Sequence, residues 1–396
     1  MKKILIMSIM LCACFTVFAQ ERNLYQAETD HYTVFSEVSQ EQASEMATRL
    51  EAYLELYNRY FHFDTENLPA KYKVRIFQNK SRYDEYLNRI ISETREDFVY
   101  LHYSDLKKSE LVGYHMDDSG EFYLSLNHQG FIQFIRSFIA NPPLWLREGF
   151  AVFFEKSEYD EDYGKVIYKE NLAWLPTLKD IIAGNSTEAP LSMEDLLSID
   201  IEDAREKIEV FYPQAWGVIS FLVYSENKDY NRLLWDAISA LQDGVNRDAN
   251  EANVEKASFQ WVDDTILVAD FMNYLDGKKT FRELVEDGVA SYSRNSLKEA
   301  EQSFVKAQKL REDNFIPYYY LGLINYDMGN YSLAEYYYQT SLNLGAAEGL
   351  TYYALGVNAY ADNRFDDAKN YLTKTIEADP ASYSEKVNTL LARIEG

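Results

Sequence analysis

A chain of 396 residues with 64 acidic against 39 basic side chains carries a formal charge of −25. A surface that negative repels phosphate backbones, which argues against a nucleic-acid partner. The two cysteines, Cys12 and Cys14, both lie in a leader-like stretch, so disulfides, thiolate catalysis and cysteine metal sites are excluded from a chain cleaved after it.

The first residues, Met1-Lys2-Lys3, are basic, an apolar run follows from Ile4 to Phe18, and Val17-Phe18-Ala19 offers a small-residue cleavage point before Gln20. This is the pattern of a secretory signal over residues 1–19, which places the mature chain in the periplasm or cell envelope. The run is shorter than the ~20 residues a spanning helix needs, and no transmembrane helix is expected in the mature chain. Leu11-Cys12-Ala13-Cys14 resembles a loose lipobox, so a lipid anchor at Cys14 is the alternative fate of the same segment.

From Tyr32 the pattern predicts a strand to Phe35, a helix from Gln40 to Phe61 and an alternating strand from Tyr72 to Phe77. A helix near Ser81 to Ile91 comes next. Extended segments then follow around Phe98 to Leu101, Leu111 to Tyr114 and Phe122 to Leu126, with Asp117-Asp118-Ser119-Gly120 as the turn between the last two. After His128 the chain reads as helices broken at Pro142-Pro143, Pro176, Asn185, Pro190 and Pro213. The expected class is α+β, a small mixed sheet with helices and a helical lobe over residues 20–275, with a boundary at Asp276-Gly277-Lys278-Lys279.

Residues 281–396 contain a repeat: Gly288, Gly322 and Gly356 are spaced 34 apart, as are Ala300, Ala334 and Ala368. Four residues after each alanine stands a large side chain, Phe304, Tyr338 or Leu372, suited to the space beside a glycine, and Pro380 closes the third copy. This spacing is that of tetratricopeptide repeats, and three copies plus a last helix from Ser382 to Ile394 predict an all-α solenoid. Tyr292, Tyr326 and Tyr360 keep the same period and are joined by Tyr319 and Tyr353. They are expected on the groove side of the first helices, facing a protein or peptide partner, or else packed between repeats.

The stretch from Asn127 to Glu155 includes His128, Gln129 and Ile132, then Pro143-Leu144-Trp145-Leu146-Arg147-Glu148-Gly149-Phe150-Ala151. It resembles the active-site stretch of the peptidase MA-like gluzincins, in which His-Glu-x-x-His on one helix is followed by Pro-x-Trp-Leu-x-Glu-Gly-x-Ala. The resemblance implies zinc held by two histidines and a glutamate, with a further glutamate as general base. It puts the first ligand on His128 and the third on Glu148, while the base position is Gln129 and the second ligand position Ile132. An amide takes no proton near neutral pH and isoleucine has no lone pair, so no catalytic residue is assigned and the metal site is vestigial. His115 is the one substitute ligand considered. Alternatively His128 and Glu148 are ordinary helix-start residues. The acidic run of Glu155, Glu158, Asp160, Glu161 and Asp162 lacks the spacing of a calcium loop and reads as a solvated face.

Together these features predict an exported scaffold or peptide-binding protein with a degenerate metallopeptidase-like domain and no cofactor. An active zinc peptidase with a rearranged site and a purely structural assembly factor are the alternatives.

Overall fold

The computed structural model describes residues 24–395, so the expected leader and Cys14 lie outside the described residues. The chain divides into two compact units that meet at Phe271 and Met272, a few residues before the expected linker.

The first unit begins with β1 (Tyr25–Glu28) and β2 (Tyr32–Ser36), the helix α1 (Gln40–Phe61), β3 (Tyr72–Phe77), α2 (Lys80–Ile91), β4 (Val99–Leu101) and β5 (Glu110–Tyr114). The strand order is β1-β2-β3-β5-β4; β2, β3 and β5 run parallel, and β1 and β4 are antiparallel edges. On β2 and β3 the residues Tyr32, Val34, Tyr72, Val74 and Ile76 alternate into the core, as a half-buried sheet requires.

Helix α1 starts because the Ser39 side chain accepts the Gln42 N–H, and it ends at His62 in the left-handed conformation. Its buried stripe, from Met46 through Leu50, Leu54 and Tyr57 to Phe61, keeps helical spacing. Tyr57 and Phe61 meet Phe131, Phe134, Phe150 and Phe154 at ring separations of 4.9 to 5.8 Å. Phe131 and Phe134 come from α3 (Ser119–Phe138), and Phe150 and Phe154 from α4 (Leu144–Glu155). This aromatic cluster fixes α3 and α4 against α1, and burying such rings contributes roughly 2–3 kcal/mol each.

The expected strand Phe122 to Leu126 lies inside α3. The Asp118 carboxylate accepts the N–H groups of Gly120 and Glu121 at 2.7 and 3.2 Å, so Asp117-Asp118-Ser119-Gly120 caps a helix and does not turn a hairpin. Phe122 and Leu126 are both buried, as four-apart residues on one helix face are. The structure also adds β1 and a short exposed hairpin, β6 (Glu158–Asp160) with β7 (Lys165–Ile167).

The helical lobe comprises α5 (Leu175–Ile182), α6 (Met193–Leu197), α7 (Ile201–Glu206), α8 (Ile208–Tyr224), α9 (Lys228–Ser239), α10 (Arg247–Ala257) and α11 (Asp264–Gly277). Pro213 does not break the chain as expected: α8 runs through it, and the interruption falls at Lys207. A proline early in a helix removes one backbone bond, and the burial of Phe211, Trp216 and Ile219 along α8 outweighs that loss.

The second unit stacks α12 (Phe281–Ser293), α13 (Leu297–Leu310), α14 (Phe315–Asp327), α15 (Tyr331–Asn343), α16 (Glu348–Ala361), α17 (Phe365–Ala378) and α18 (Pro380–Glu395), an all-α repeat array. A Cβ placed on Gly288, Gly322 or Gly356 would lie 2.7, 2.5 or 2.8 Å from the side chain of Phe304, Tyr338 or Leu372. The repeated glycine thus makes room for the repeated large residue. Each first helix also ends in a left-handed residue, Asn295, Gly329 or Asn363, with φ of 59°, 77° and 60°.

Gly322→Ala should therefore lower stability by roughly 1–3 kcal/mol through overpacking against Tyr338. Gly277→Ala, where nothing approaches within 4 Å, should change it by less than about 0.5 kcal/mol. Thermal or urea unfolding of the two variants checks the contrast.

Candidate functional site

The register of α3 is pinned one residue before His128. Buried Asn127 donates to the Tyr53 hydroxyl at 2.8 Å and the Glu155 carbonyl at 3.0 Å, while Tyr57 donates to the Asn127 carbonyl at 3.0 Å. These bonds tie α3 to α1 and to the end of α4, so the next side chain has a set direction. The His128 imidazolium donates from Nδ1 to Glu155 Oε2 at 2.9 Å and from Nε2 to Glu148 Oε2 at 3.3 Å. The other oxygen of Glu148 is held by the Arg147 guanidinium, through Nε at 2.7 Å and Nη2 at 2.5 Å. Asn171 donates to Glu155 Oε1, completing the chain of contacts.

Gly149 lets a second helix reach this cluster. A Cβ there would lie 2.6 Å from the Ala215 carbonyl oxygen on α8. The close crossing of α4 and α8 brings Tyr212 to Glu148, with its ring centroid 6.2 Å from that of His128.

Burial alone would lower the His128 pKa, but hydrogen bonds and attraction from Glu148 and Glu155 outweigh it and push the group up to about 9. Burial alone would raise Glu148, yet Arg147 and His128 hold it down to about 2. The cluster therefore pairs two carboxylates with an imidazolium and a guanidinium, and the Arg136 guanidinium lies near enough to feel Arg147 and Glu148.

His128 and Glu148 are brought together, but not at helix starts: His128 is mid-helix in α3, and Glu148 is in the second turn of α4. Gln129 faces away from this pair. Its Oε1 accepts the Tyr100 N–H on edge strand β4 at 3.0 Å. Ile132 is buried. His115 does not join them; it is exposed at the end of β5, with its Nδ1 3.4 Å from Gln42 Nε2 on α1.

A catalytic zinc ion takes three protein ligands. Here two donors converge, and one of them, Glu148, already carries a guanidinium on its second oxygen, so the residues present do not fit that ion. Among the described residues no group of three or more His, Cys, Asp or Glu side chains is placed to hold a metal. The acidic run likewise serves other contacts. Glu161 pairs with Arg49 and Glu158 with Lys169, at 2.8 and 2.6 Å, and Asp160 accepts the N–H groups of Asp162 and Tyr163.

His128 and Gln129 open onto a cleft of about 690 Å³, lined also by Glu96, Asp97, Trp174 and Tyr212. Sequence reasoning missed Arg147, Tyr212 and Asn171, and placed Glu155 only in an acidic run. Glu155 follows Glu148 by seven residues, two turns along one helix face, and that spacing was the available signal. For Arg147 there was none, since its partner is decided by a rotamer.

In the second unit the five tyrosines are all half-buried. Tyr292 packs on the core of Ala300 and Phe304, Tyr319 and Tyr326 on that of Ala334 and Tyr338, and Tyr353 and Tyr360 on that of Leu372 and Val387. The Tyr292 hydroxyl donates to Asp327 at 2.7 Å. Burial first, and then the nearby Tyr383 and Tyr320 phenols, push Tyr319 up to about 12. Among the described residues no helix is long and apolar enough to cross a membrane.

No family model matches the chain, and no curated protein does. Solved structures that are similar over part of it include the first TPR of Spaghetti (RPAP3) bound to HSP90 peptide SRMEEVD. That likeness has 16% identity and a TM-score of 0.28, and covers 29% of this chain and 90% of that one. The first TPR domain of the human RPAP3 protein is similar at 18% identity and a TM-score of 0.27, over 29% of this chain and 94% of that one.

The two pKa shifts set a pH window. His128, raised to about 9, contributes stability that is complete below its ordinary value of 6.5 and is lost as pH rises through about 9. Glu148, lowered to about 2, contributes stability present above 4.5 and lost as pH falls through about 2. The stability difference between the native chain and His128→Asn should be largest from pH 4.5 to 6.5 and should shrink on raising the pH past 9. Urea unfolding across that range measures it, and a difference that is flat with pH would contradict the charged pairing.

Proposed function

We propose that this chain is an exported, non-catalytic polypeptide-binding protein of the cell envelope. In this reading a peptidase-like cleft has exchanged its chemistry for internal salt bridges, and the repeat unit docks a protein partner. The observation that carries the reading is the engagement of both Glu148 oxygens, Oε1 by the Arg147 guanidinium and Oε2 by His128. A second observation supports it. Gln129, at the position where the resemblance puts the general base, spends its carbonyl oxygen on the backbone of β4.

Loss of a general base alone removes about 10²- to 10⁴-fold in rate. A cleft and a solenoid surface survive that loss, because apolar burial and backbone hydrogen bonding do not depend on a metal. The half-buried tyrosines of the first helices suit the docking role: each has one face anchored in the repeat core and the remainder open for contact. The leader pattern at residues 1–19 supports export.

A metallopeptidase with a rearranged site is favoured by one distance. His128 Nε2 and Glu148 Oε2 lie 3.3 Å apart, close to the spacing of two ligands on a shared ion.

Metal analysis of the purified full-length protein separates the readings. Zinc well below stoichiometry, unaltered by His128→Ala, and no hydrolysis of unfolded casein are expected. Stoichiometric zinc that disappears in His128→Ala would overturn the non-catalytic reading. The double change Gln129→Glu with Ile132→His should gain zinc, and a variant that binds none would refute the alignment of this segment with the peptidase pattern. For the repeat unit, Tyr326→Ala with Tyr360→Ala in the full chain should abolish capture of an envelope partner while the helical circular dichroism is kept. Undiminished capture would make these tyrosines packing residues.

A further inference from the structure

The cleft of the first unit has a strongly one-sided charge. Helices α3 and α4 form its floor, through Leu124, Ser125, Gln129 and Val152, and the start of α8 contributes the exposed apolar side chain of Ile208. Around this floor stand Glu96, Asp97, Glu121 and Glu209, with Glu155 deeper inside, whereas no lysine or arginine lines it among the described residues. Glu155 is already neutralised by His128. Glu96 reaches Lys80 at 3.6 Å, but its side chain is 91% exposed, so water screens that pair. Asp97, Glu121 and Glu209 make no ion pair among the described residues. Three uncompensated carboxylates therefore surround a cleft of about 690 Å³ with a mostly apolar floor.

The cleft also lies beside a strand edge. Asp97 is two residues before β4, the outermost strand on that side of the sheet. The Tyr100 N–H points away from β5 but is taken by the Gln129 side chain, so the outer edge of β4 is covered at that position. An extended chain entering the cleft would meet the apolar floor beneath it and the carboxylates at its flanks. The same carboxylates disfavour an acidic segment by like-charge repulsion at the rim, an effect that salt weakens.

We propose that the first-unit cleft takes an extended polypeptide segment that alternates apolar with lysine or arginine side chains, the apolar ones on the floor and the cations against Asp97, Glu121 and Glu209. This rests on the polypeptide-binding reading above and adds the charge class of the ligand. Long basic side chains suit the site because their aliphatic stems cover apolar surface while their heads reach the rim.

The test uses the full-length protein and two capped heptapeptides, one alternating valine with lysine and the other valine with glutamate, in fluorescence anisotropy. The lysine peptide should bind at least about tenfold more tightly, and its affinity should fall steeply between about 0.05 and 0.5 M salt. The triple variant Asp97→Asn, Glu121→Gln, Glu209→Gln should remove that preference; these residues lie on the rim, and the salt series on the unaltered protein tests the same charge effect without mutation. Equal affinity for the two peptides would overturn the charge assignment and leave the polypeptide-binding reading standing. Binding of neither peptide would overturn both for this cleft, and cleavage of the lysine peptide would overturn the non-catalytic reading alone.

Discussion

A carboxylate withdrawn from water must be neutralised where it lies, and Glu148, with 5% of its surface exposed, sets that requirement at the centre of the first unit. It is met from both sides, by His128 across the gap between α3 and α4 and by Arg147 from the neighbouring position on α4. Holding His128 in the charged form creates a second demand, because the buried Nδ1–H then needs an acceptor, and Glu155 supplies it. Glu155 in turn is steadied by Asn171, which also caps the short turn that follows it. The path from Arg147 to Asn171 is thus one chain of obligations begun by a single buried charge, and removing any member leaves an unpaired group.

That chain needs helices packed closer than ordinary side chains allow, and both units solve this in the same way. Gly149 permits contact with the backbone of α8, and Gly217 on α8 makes room for Leu178, whose side chain a Cβ would approach to 2.4 Å. In the second unit the device recurs at Gly288, Gly322 and Gly356, each opposite a large side chain of the paired helix. The consequences differ. In the repeats a missing Cβ sets the spacing of a structural array, whereas in the first unit it delivers Tyr212 to the charge cluster.

The repeats were legible because their information is local and redundant: a small residue, a large one and a fixed interval, stated three times. The left-handed turn positions share that interval but escaped notice, since Asn295, Gly329 and Asn363 satisfy one backbone demand with two residue types. His128 and Glu148 were singled out only through the resemblance of their segment to a peptidase pattern. Phe122 to Leu126 was misread because alternating and four-apart apolar residues coincide over five positions, and the deciding signal was the cap at Asp118. The hairpin of β6 and β7 is short and exposed, so it lacks the apolar pattern by which strands are recognised. What the sequence did not disclose is the partner of Glu148 Oε1, because that contact is settled by the rotamer of Arg147.

The side chains at Gln129 and Ile132 can be understood from the electrostatics and burial around them. A divalent ion bound between His128 and Glu148 would add two positive charges and tolerate a further carboxylate at position 129. Without it, the balance must come from side chains, and the imidazolium and guanidinium already cancel Glu148 and Glu155. A glutamate at 129 would then add a charge next to Tyr100 on an edge strand that asks only for a hydrogen-bond acceptor. Glutamine supplies that acceptor without the charge. Isoleucine at 132 fills a buried position with a side chain that needs no hydrogen-bond partner. The side chains around Glu148 thus satisfy one another's charges and hydrogen-bonding groups within the first unit.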